Sequence, residues 1–145
     1  MRFRLTIPAF LAISLIAFAS KTETLQELIA RAEAAKPPDR PALYVEVAER
    51  QLESADKLYT AGNTEEARSA VQDVVSYSEK AHDAVIQSDK KIKGVEISLR
   101  KMAARLRDIQ RTVNFDDQAP VQSAASQLES LRTDLLTHMF KGKNK

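Results

Sequence analysis

The stretch ARSAVQDVVSYSEKAHDAVIQSDKKIKGVEISLRKMAARLRDIQRTV, residues 67–113, carries the pattern that decides the fold. Apolar or small residues recur in it at alternating intervals of four and three positions. This heptad spacing places them on one face of a helix. We therefore expect a helical stretch whose apolar face, here called the seam, is covered by the rest of the chain. The seam consists of Ala67, Val71, Val74, Ser78, Ala81, Val85, Ser88, Ile92, Val95, Leu99, Met102, Leu106, Ile109 and Val113.

The composition favours an all-α protein. The chain has 145 residues, with 3 glycines, 5 prolines and neither cysteine nor tryptophan. Alanine, leucine, glutamate, lysine, arginine and glutamine are frequent, and all of them are strong helix formers. The length suits one modest domain. Because the chain has no cysteine, the stability of this domain must come from helix packing.

Residues 1–19 have the layout of a secretory signal peptide. Arg2 and Arg4 precede an apolar run that ends in the small-residue pattern Ala17-Phe18-Ala19. This arrangement predicts cleavage near Ala19-Ser20 and a periplasmic or extracellular location. The alternative is a segment that is retained as a membrane anchor, although the run is shorter than the about 20 apolar residues that a spanning helix needs.

Residues 20–41 are expected to form a short helix and a proline-rich connector. Thr24 and Glu27 have the spacing of a capping box, which satisfies free amides at a helix start. Three prolines between positions 37 and 41 should end this helix near Ala35, because proline lacks the amide hydrogen and disfavours helix in the residue before it.

Residues 42–87 are predicted to be an antiparallel pair of helices with wide apolar faces. Gly62 suits a left-handed helix end, and Asn63 or Thr64 can cap the next helix. The connection is therefore a tight turn between neighbouring helices.

Part of this pair resembles a known family. Ala55, Leu58, Gly62, Ala67 and Val71 are similar to the small and apolar positions of a tetratricopeptide-type helical hairpin. The resemblance covers residues 48–81, and what it implies is a way of packing two helices.

Residues 88–140 are predicted to form a coiled-coil-like helical hairpin, followed by a basic tail over 141–145. The apolar face narrows after Ile92, and a polar loop at 114–120 precedes a last helix. Thin apolar stripes of this kind bury against one neighbour rather than two. The stripe of the last helix consists of Val121, Ala124, Leu128, Leu131, Leu135 and Met139.

Two arrangements of these helices are compatible with the pattern. In the first, one long central helix spans about 65–112, and the other helices pack against its two halves as antiparallel hairpins. In the second, the chain turns at 88–94 and forms an up-down-up-down four-helix bundle. The uninterrupted heptad spacing and the narrowing apolar face favour the long helix.

The histidines do not predict a metal site. His82 has Ser78 and Ile86 at the spacing of one helical turn, and His138 has only Asp134. Zinc needs about three protein ligands even in an open catalytic site. No nucleophile in a recognisable turn, no glycine-rich phosphate loop and no acid–base pair stands out. We therefore expect a protein that is not an enzyme and has no metal or other cofactor.

His82 nevertheless supports one alternative function. Gly62, Glu66, Ala67 and His82 are similar to the last helix of a small periplasmic four-helix haem protein of the b type. In that protein the histidine binds haem iron from one side, and a methionine from the first helix binds the other side. The resemblance implies a small-ligand carrier with His82 as a cofactor-binding residue, although the first two helices of the predicted mature chain contain no methionine.

Charge is distributed unevenly along the chain. Residues 42–89 contain ten acidic and four basic side chains, a net charge of −6, whereas residues 90–111 have eight basic and two acidic side chains, a net charge of +6. The basic segment predicts contact with an anionic surface such as phospholipid headgroups, an envelope polymer or an acidic protein. The predicted contact residues are Lys90, Lys91, Lys93, Arg100, Lys101, Arg105, Arg107 and Arg111.

These features together predict an exported helical interaction or structural protein of the cell envelope. Its partner is an unidentified protein, a second copy of the chain or an anionic envelope surface. Self-association is suggested by Ile97, which lies outside the seam and lacks an evident apolar partner. Nucleic acid is not an expected partner, because aromatic residues do not alternate with the lysines and arginines and because the chain is expected to be exported.

Overall fold

A computed structural model describes residues 22–143, and this part of the chain contains five α-helices and no strand. The predicted signal peptide and the last two residues of the basic tail lie outside the described residues. The all-α class is confirmed. The helices are α1 (Leu25–Ala34), α2 (Arg40–Thr60), α3 (Thr64–Ser88), α4 (Ile92–Thr112) and α5 (Phe115–Gly142).

Some of the predicted helix ends match the structure, and others differ. The Thr24 hydroxyl accepts a hydrogen bond from the Glu27 amide at 3.1 Å, as a cap should. Gly62 has a φ of +81° in the turn between α2 and α3. Pro41, by contrast, lies in the first turn of α2 and not in the connector, since a proline there loses no helical hydrogen bond.

The second difference concerns the loop predicted at 114–120. The structure begins α5 at Phe115, and Pro120 lies inside the helix. Acidic Asp116 and Asp117 occupy the first turn, where they stabilise the positive end of the helix dipole. At its other end α5 extends to Gly142, so the first residues of the predicted basic tail are helical.

In place of one helix over 65–112, the structure has two, and this corrects the favoured arrangement. The chain turns at 89–91, inside the window of the bundle alternative, with Asp89 at φ +54° and Lys91 at φ +65°. No apolar residue lies between Ser88 and Ile92 to anchor a continuous helix. The heptad spacing survives the break because both helices turn their seam residues into the same core.

The directions of α3 and α5 follow from contacts between their side chains. Arg68 pairs with Asp117 where both helices start, and His82 contacts Asp134 further along both. The two helices therefore run parallel. Since α4 and α5 form an antiparallel hairpin, α4 runs opposite to α3.

The helices α2 and α4 also run parallel. Val45 and Val95, near the starts of these helices, line one groove, and Asp56 pairs with Arg105 near their ends. Two antiparallel hairpins, α2–α3 and α4–α5, thus lie side by side in an up-down-up-down bundle. In the described residues no Cα atom of α2 lies within 8 Å of a Cα atom of α5, so these two helices occupy opposite corners, and α1 packs against α2.

The bundle encloses one continuous core to which all four long helices contribute. The seam forms part of this core: its residues are buried, apart from Ser88, Ile92 and Val113, which are partly exposed. Among the described helices, none is both long enough and apolar enough to cross a membrane.

Candidate functional site

The helix α4 has two faces of opposite character. Leu99, Leu106 and Ile109 point into the core and are almost completely buried. Lys93 and Arg100 follow the opposite, exposed side, with half-buried Ile97 between them. Residues three or four positions apart lie on one side of a helix. The structure therefore brings the basic side chains of α4 together on its outer side.

Three of the eight predicted contact residues are engaged within the molecule. Arg105 pairs with Asp56 of α2. Arg107 Nη1 lies 3.4 Å from Oε1 of Glu129 in α5, and Arg111 Nη1 lies 3.2 Å from Oδ1 of Asp108 in the same helix. All three arginines belong to the C-terminal half of α4, so the charge there is largely balanced.

The other five bases are exposed and form no ion pair with any residue of the described range. They lie in the turn before α4 and in the first half of this helix. We call this group the open basic face: Lys90, Lys91, Lys93, Arg100 and Lys101. Because no acid in residues 22–143 pairs with it, the open basic face is the part of the predicted basic segment that is available to an anionic partner.

A buried acid explains why the first half of α4 does not neutralise its own bases. Glu96 is 8% exposed, and its Oε1 accepts a hydrogen bond from Arg132 Nε of α5 at 2.7 Å. This hydrogen bond raises the pKa of Arg132 above its usual range. The negative charge of Glu96 is thus paired with Arg132 in the interface between α4 and α5 and does not neutralise the neighbouring lysines and arginines. Local sequence patterns do not indicate this pair, because its members are 36 positions apart along the chain.

Both ring nitrogens of His82 face carboxylates. Nε2 lies 2.6 Å from Asp134 Oδ2 in α5, and Nδ1 lies 3.0 Å from Asp83 Oδ1. An imidazole needs a free nitrogen lone pair to bind iron. In this arrangement neither nitrogen is turned toward an open site, and His82 serves as a contact between α3 and α5.

His138 also joins α5 to α3, with the histidine this time on α5. Its Nε2 lies 2.8 Å from Oδ1 of Asp89, the residue that ends α3. The two histidines therefore tie α3 and α5 together at the end of the bundle where the chain turns into α4. No group of three or more histidines and acids in the described part of the chain is arranged to hold a metal ion.

A cluster that the sequence did not reveal attaches α1 to the bundle. Glu33 of α1 accepts hydrogen bonds from Lys80 Nζ and Tyr44 Oη, both at 3.0 Å. The bond from Lys80, followed by the bond from Tyr44, lowers the pKa of Glu33. The Lys80 ammonium also lies 5.6 Å and 5.2 Å from the ring centroids of Tyr44 and Tyr77, a cation–π arrangement.

At the opposite end of the bundle a polar cavity of about 390 Å³ lies between the α2–α3 turn and the α4–α5 turn. Asp117, with a side chain 3% exposed, lines it and accepts a 2.7 Å hydrogen bond from Arg68 Nε. Nearby, the Tyr59 hydroxyl is buried without a hydrogen-bond partner among the described residues. Burial, and then the charge of Asp117, raises the pKa of Tyr59.

We expect Tyr59→Phe to raise the free energy of unfolding by about 1 kcal/mol at neutral pH, because it removes a buried hydroxyl that has lost its water contacts. Since the folded state favours the neutral phenol, the wild type should lose stability as the pH rises above about 10, and the advantage of Tyr59→Phe should widen there. Urea denaturation at several pH values measures both effects. Tyr44→Phe is the control and should lower stability at neutral pH, because Tyr44 donates to Glu33.

The comparisons with known proteins give no match. No protein-family model matches the chain, and neither the curated proteins nor the solved structures include a significant match to it. The tetratricopeptide-type resemblance of residues 48–81 therefore stays a hypothesis from the sequence.

Proposed function

We propose that this chain is an exported, non-enzymatic helical interaction protein of the cell envelope, which binds an anionic surface through the open basic face. The observation that carries the proposal is the absence of ion pairs to Lys90, Lys91, Lys93, Arg100 and Lys101 within the described residues. The signal-like segment at 1–19 supports export.

A non-enzymatic role is supported by the histidines and buried acids of the bundle, which contact side chains of neighbouring helices. Both histidines join α3 to α5, and Asp117 is paired with Arg68. Glu96 is buried against Arg132. General acid–base catalysis needs such groups free to reach a substrate, whereas here they hold the hairpins together.

The positive charge of the open basic face favours an anionic partner over a second copy of the chain. Two copies that met through the open basic face would bring like charges together, which is unfavourable. The half-buried Ile97, which suggests self-association in the sequence, lies among these bases. An anionic partner matches this side of α4 better than a second copy does.

Charge reversal at two positions of the open basic face tests the proposal. We expect Arg100→Glu with Lys101→Glu to weaken binding to immobilised heparin, a polyanion probe, by roughly tenfold or more, and added salt to weaken wild-type binding. Both side chains are exposed, so the fold should be retained, which circular dichroism checks.

The matched control is Lys57→Glu with Arg111→Glu, which changes the net charge equally but lies at the other end of the bundle, where both bases are already paired. This control should bind nearly as well as the wild type. Equal losses in the two double variants would mean that net charge alone governs binding, and the proposed face would be rejected.

A further inference from the structure

The C-terminal end of α5 lies at the same end of the bundle as the 89–91 turn. Because His138 Nε2 lies 2.8 Å from Asp89 Oδ1, the last turn of α5 lies beside this turn. Residues 140–143 follow directly and reach past the end of α3, which stops at Ser88. Two segments about 50 positions apart in the sequence are thus brought to one end of the molecule.

Both segments bring unpaired lysines. Lys90, Lys91 and Lys93 come from the turn and the start of α4, and Lys141 and Lys143 come from the end of α5. All five side chains are exposed and form no ion pair with the described residues. The acid between the two segments, Asp89, is engaged by His138. Glu49 lines a groove next to Lys91, so the five lysines at this end outnumber these two acids.

The same end exposes apolar side chains. Phe140 is 63% exposed on the last turns of α5, and Ile86 is 39% exposed on the last turn of α3. Among the described residues, the third exposed large apolar side chain is Phe115, at the opposite end. An exposed phenylalanine buries little surface in the isolated bundle. Its combination with lysines at one end of the molecule is typical of a surface that meets a membrane.

We propose that this lysine-rich end, formed by the 89–91 turn, the start of α4 and residues 140–143, docks on a bilayer that contains anionic phospholipid. Phe140 enters the headgroup region while the lysines contact lipid phosphates. The inference rests on the proposed function, because it names the anionic surface and adds the end of α5 to the open basic face. A bilayer fits better than an anionic polymer, since only the bilayer offers an apolar environment to Phe140 as well as negative charge.

Vesicle flotation with matched variants tests this docking. The chain that starts at Ser20 should bind vesicles of phosphatidylglycerol and phosphatidylcholine, and should bind pure phosphatidylcholine vesicles far less. Phe140→Ser should weaken binding to the anionic vesicles by roughly tenfold, whereas Phe115→Ser, on the same helix, should leave it unchanged. Lys90→Glu with Lys93→Glu should also weaken binding, in contrast to the charge-matched Lys57→Glu with Arg111→Glu.

Because the chain has no tryptophan, a single introduced tryptophan reports whether its own position enters the bilayer. In Phe140→Trp, the fluorescence should shift to the blue and be quenched by brominated lipids when anionic vesicles are added. In Phe115→Trp, the fluorescence should not change. These sites are 63% and 85% exposed, so neither substitution disturbs the core.

The outcomes separate this inference from the proposed function. Binding to heparin that depends on Arg100 and Lys101, without binding to anionic vesicles, would overturn the bilayer inference and leave the proposed function standing. If the wild type binds neither heparin nor anionic vesicles, both the proposed function and the bilayer inference would be rejected. Vesicle binding with an unshifted Phe140→Trp signal, or with Phe140→Ser and Phe115→Ser equally affected, would show that another surface docks.

Discussion

Replacement of Leu99 by alanine is expected to lower the free energy of unfolding by about 3 kcal/mol, one of the two largest effects anticipated for this protein. Leu99 is 0% exposed, lies on α4 and belongs to the core that the four long helices share. Truncation would remove buried methyl groups and leave a cavity that neighbouring helices cannot fill without moving. A loss of this size is a substantial part of the stability of a small domain. Urea denaturation followed by circular dichroism measures it.

Ile97 offers a matched control two residues away on the same helix. It is only partly buried and lies on the outer side of α4, so Ile97→Ala should cost well under half as much as Leu99→Ala. Similar losses for both variants would contradict the orientation of α4 in the bundle. The comparison therefore tests which side of the helix faces the core.

The second large effect is expected for Arg68→Met, which should lower the melting temperature by roughly 10 °C or more. Arg68 Nε donates a 2.7 Å hydrogen bond to Oδ1 of Asp117, and this bond raises the pKa of Arg68. The Asp117 side chain is 3% exposed, so removal of Arg68 leaves a buried carboxylate without its partner. The pair also joins α3 to α5, hence one hairpin to the other.

A double variant separates the pair from simple packing. Arg68→Met with Asp117→Asn should recover much of the lost stability, because the carboxylate that needed a partner is then gone. An exposed pair provides the control: Lys57→Met breaks the ion pair to Glu53 and should change the melting temperature little. Additive losses in the double variant, measured by thermal denaturation, would mean that the two residues do not act as a pair.

Much of the fold could be predicted because it depends on local spacing. The heptad intervals identified the seam residues, and the structure buries nearly all of them. The Thr24 cap and the Gly62 turn follow from backbone requirements that lie within a few residues. The basic side chains of α4 share an exposed side for the same reason, since helical geometry fixes which residues lie together.

The turn at 89–91 could not be decided from spacing. A heptad pattern has the same appearance whether its residues cover one long helix or two helices that return to one core. The contacts that hold the two helices in the bundle join distant residues, as His82 with Asp134 and Asp89 with His138 do. These contacts form only when the two hairpins pack together. They then stabilise the folded chain and offset the energetic cost of the left-handed conformations at Asp89 and Lys91.

The same division applies to the candidate site. The amino-acid order alone established that eight bases lie in one segment, because charge and helical position are local properties. Only the tertiary structure decided which bases stay free, because the acids that engage Arg105 and Arg107 come from other helices. Tertiary packing likewise brought the end of α5 to the 89–91 turn, where His138 contacts Asp89, since contact between segments so far apart depends on how the hairpins bury their common core.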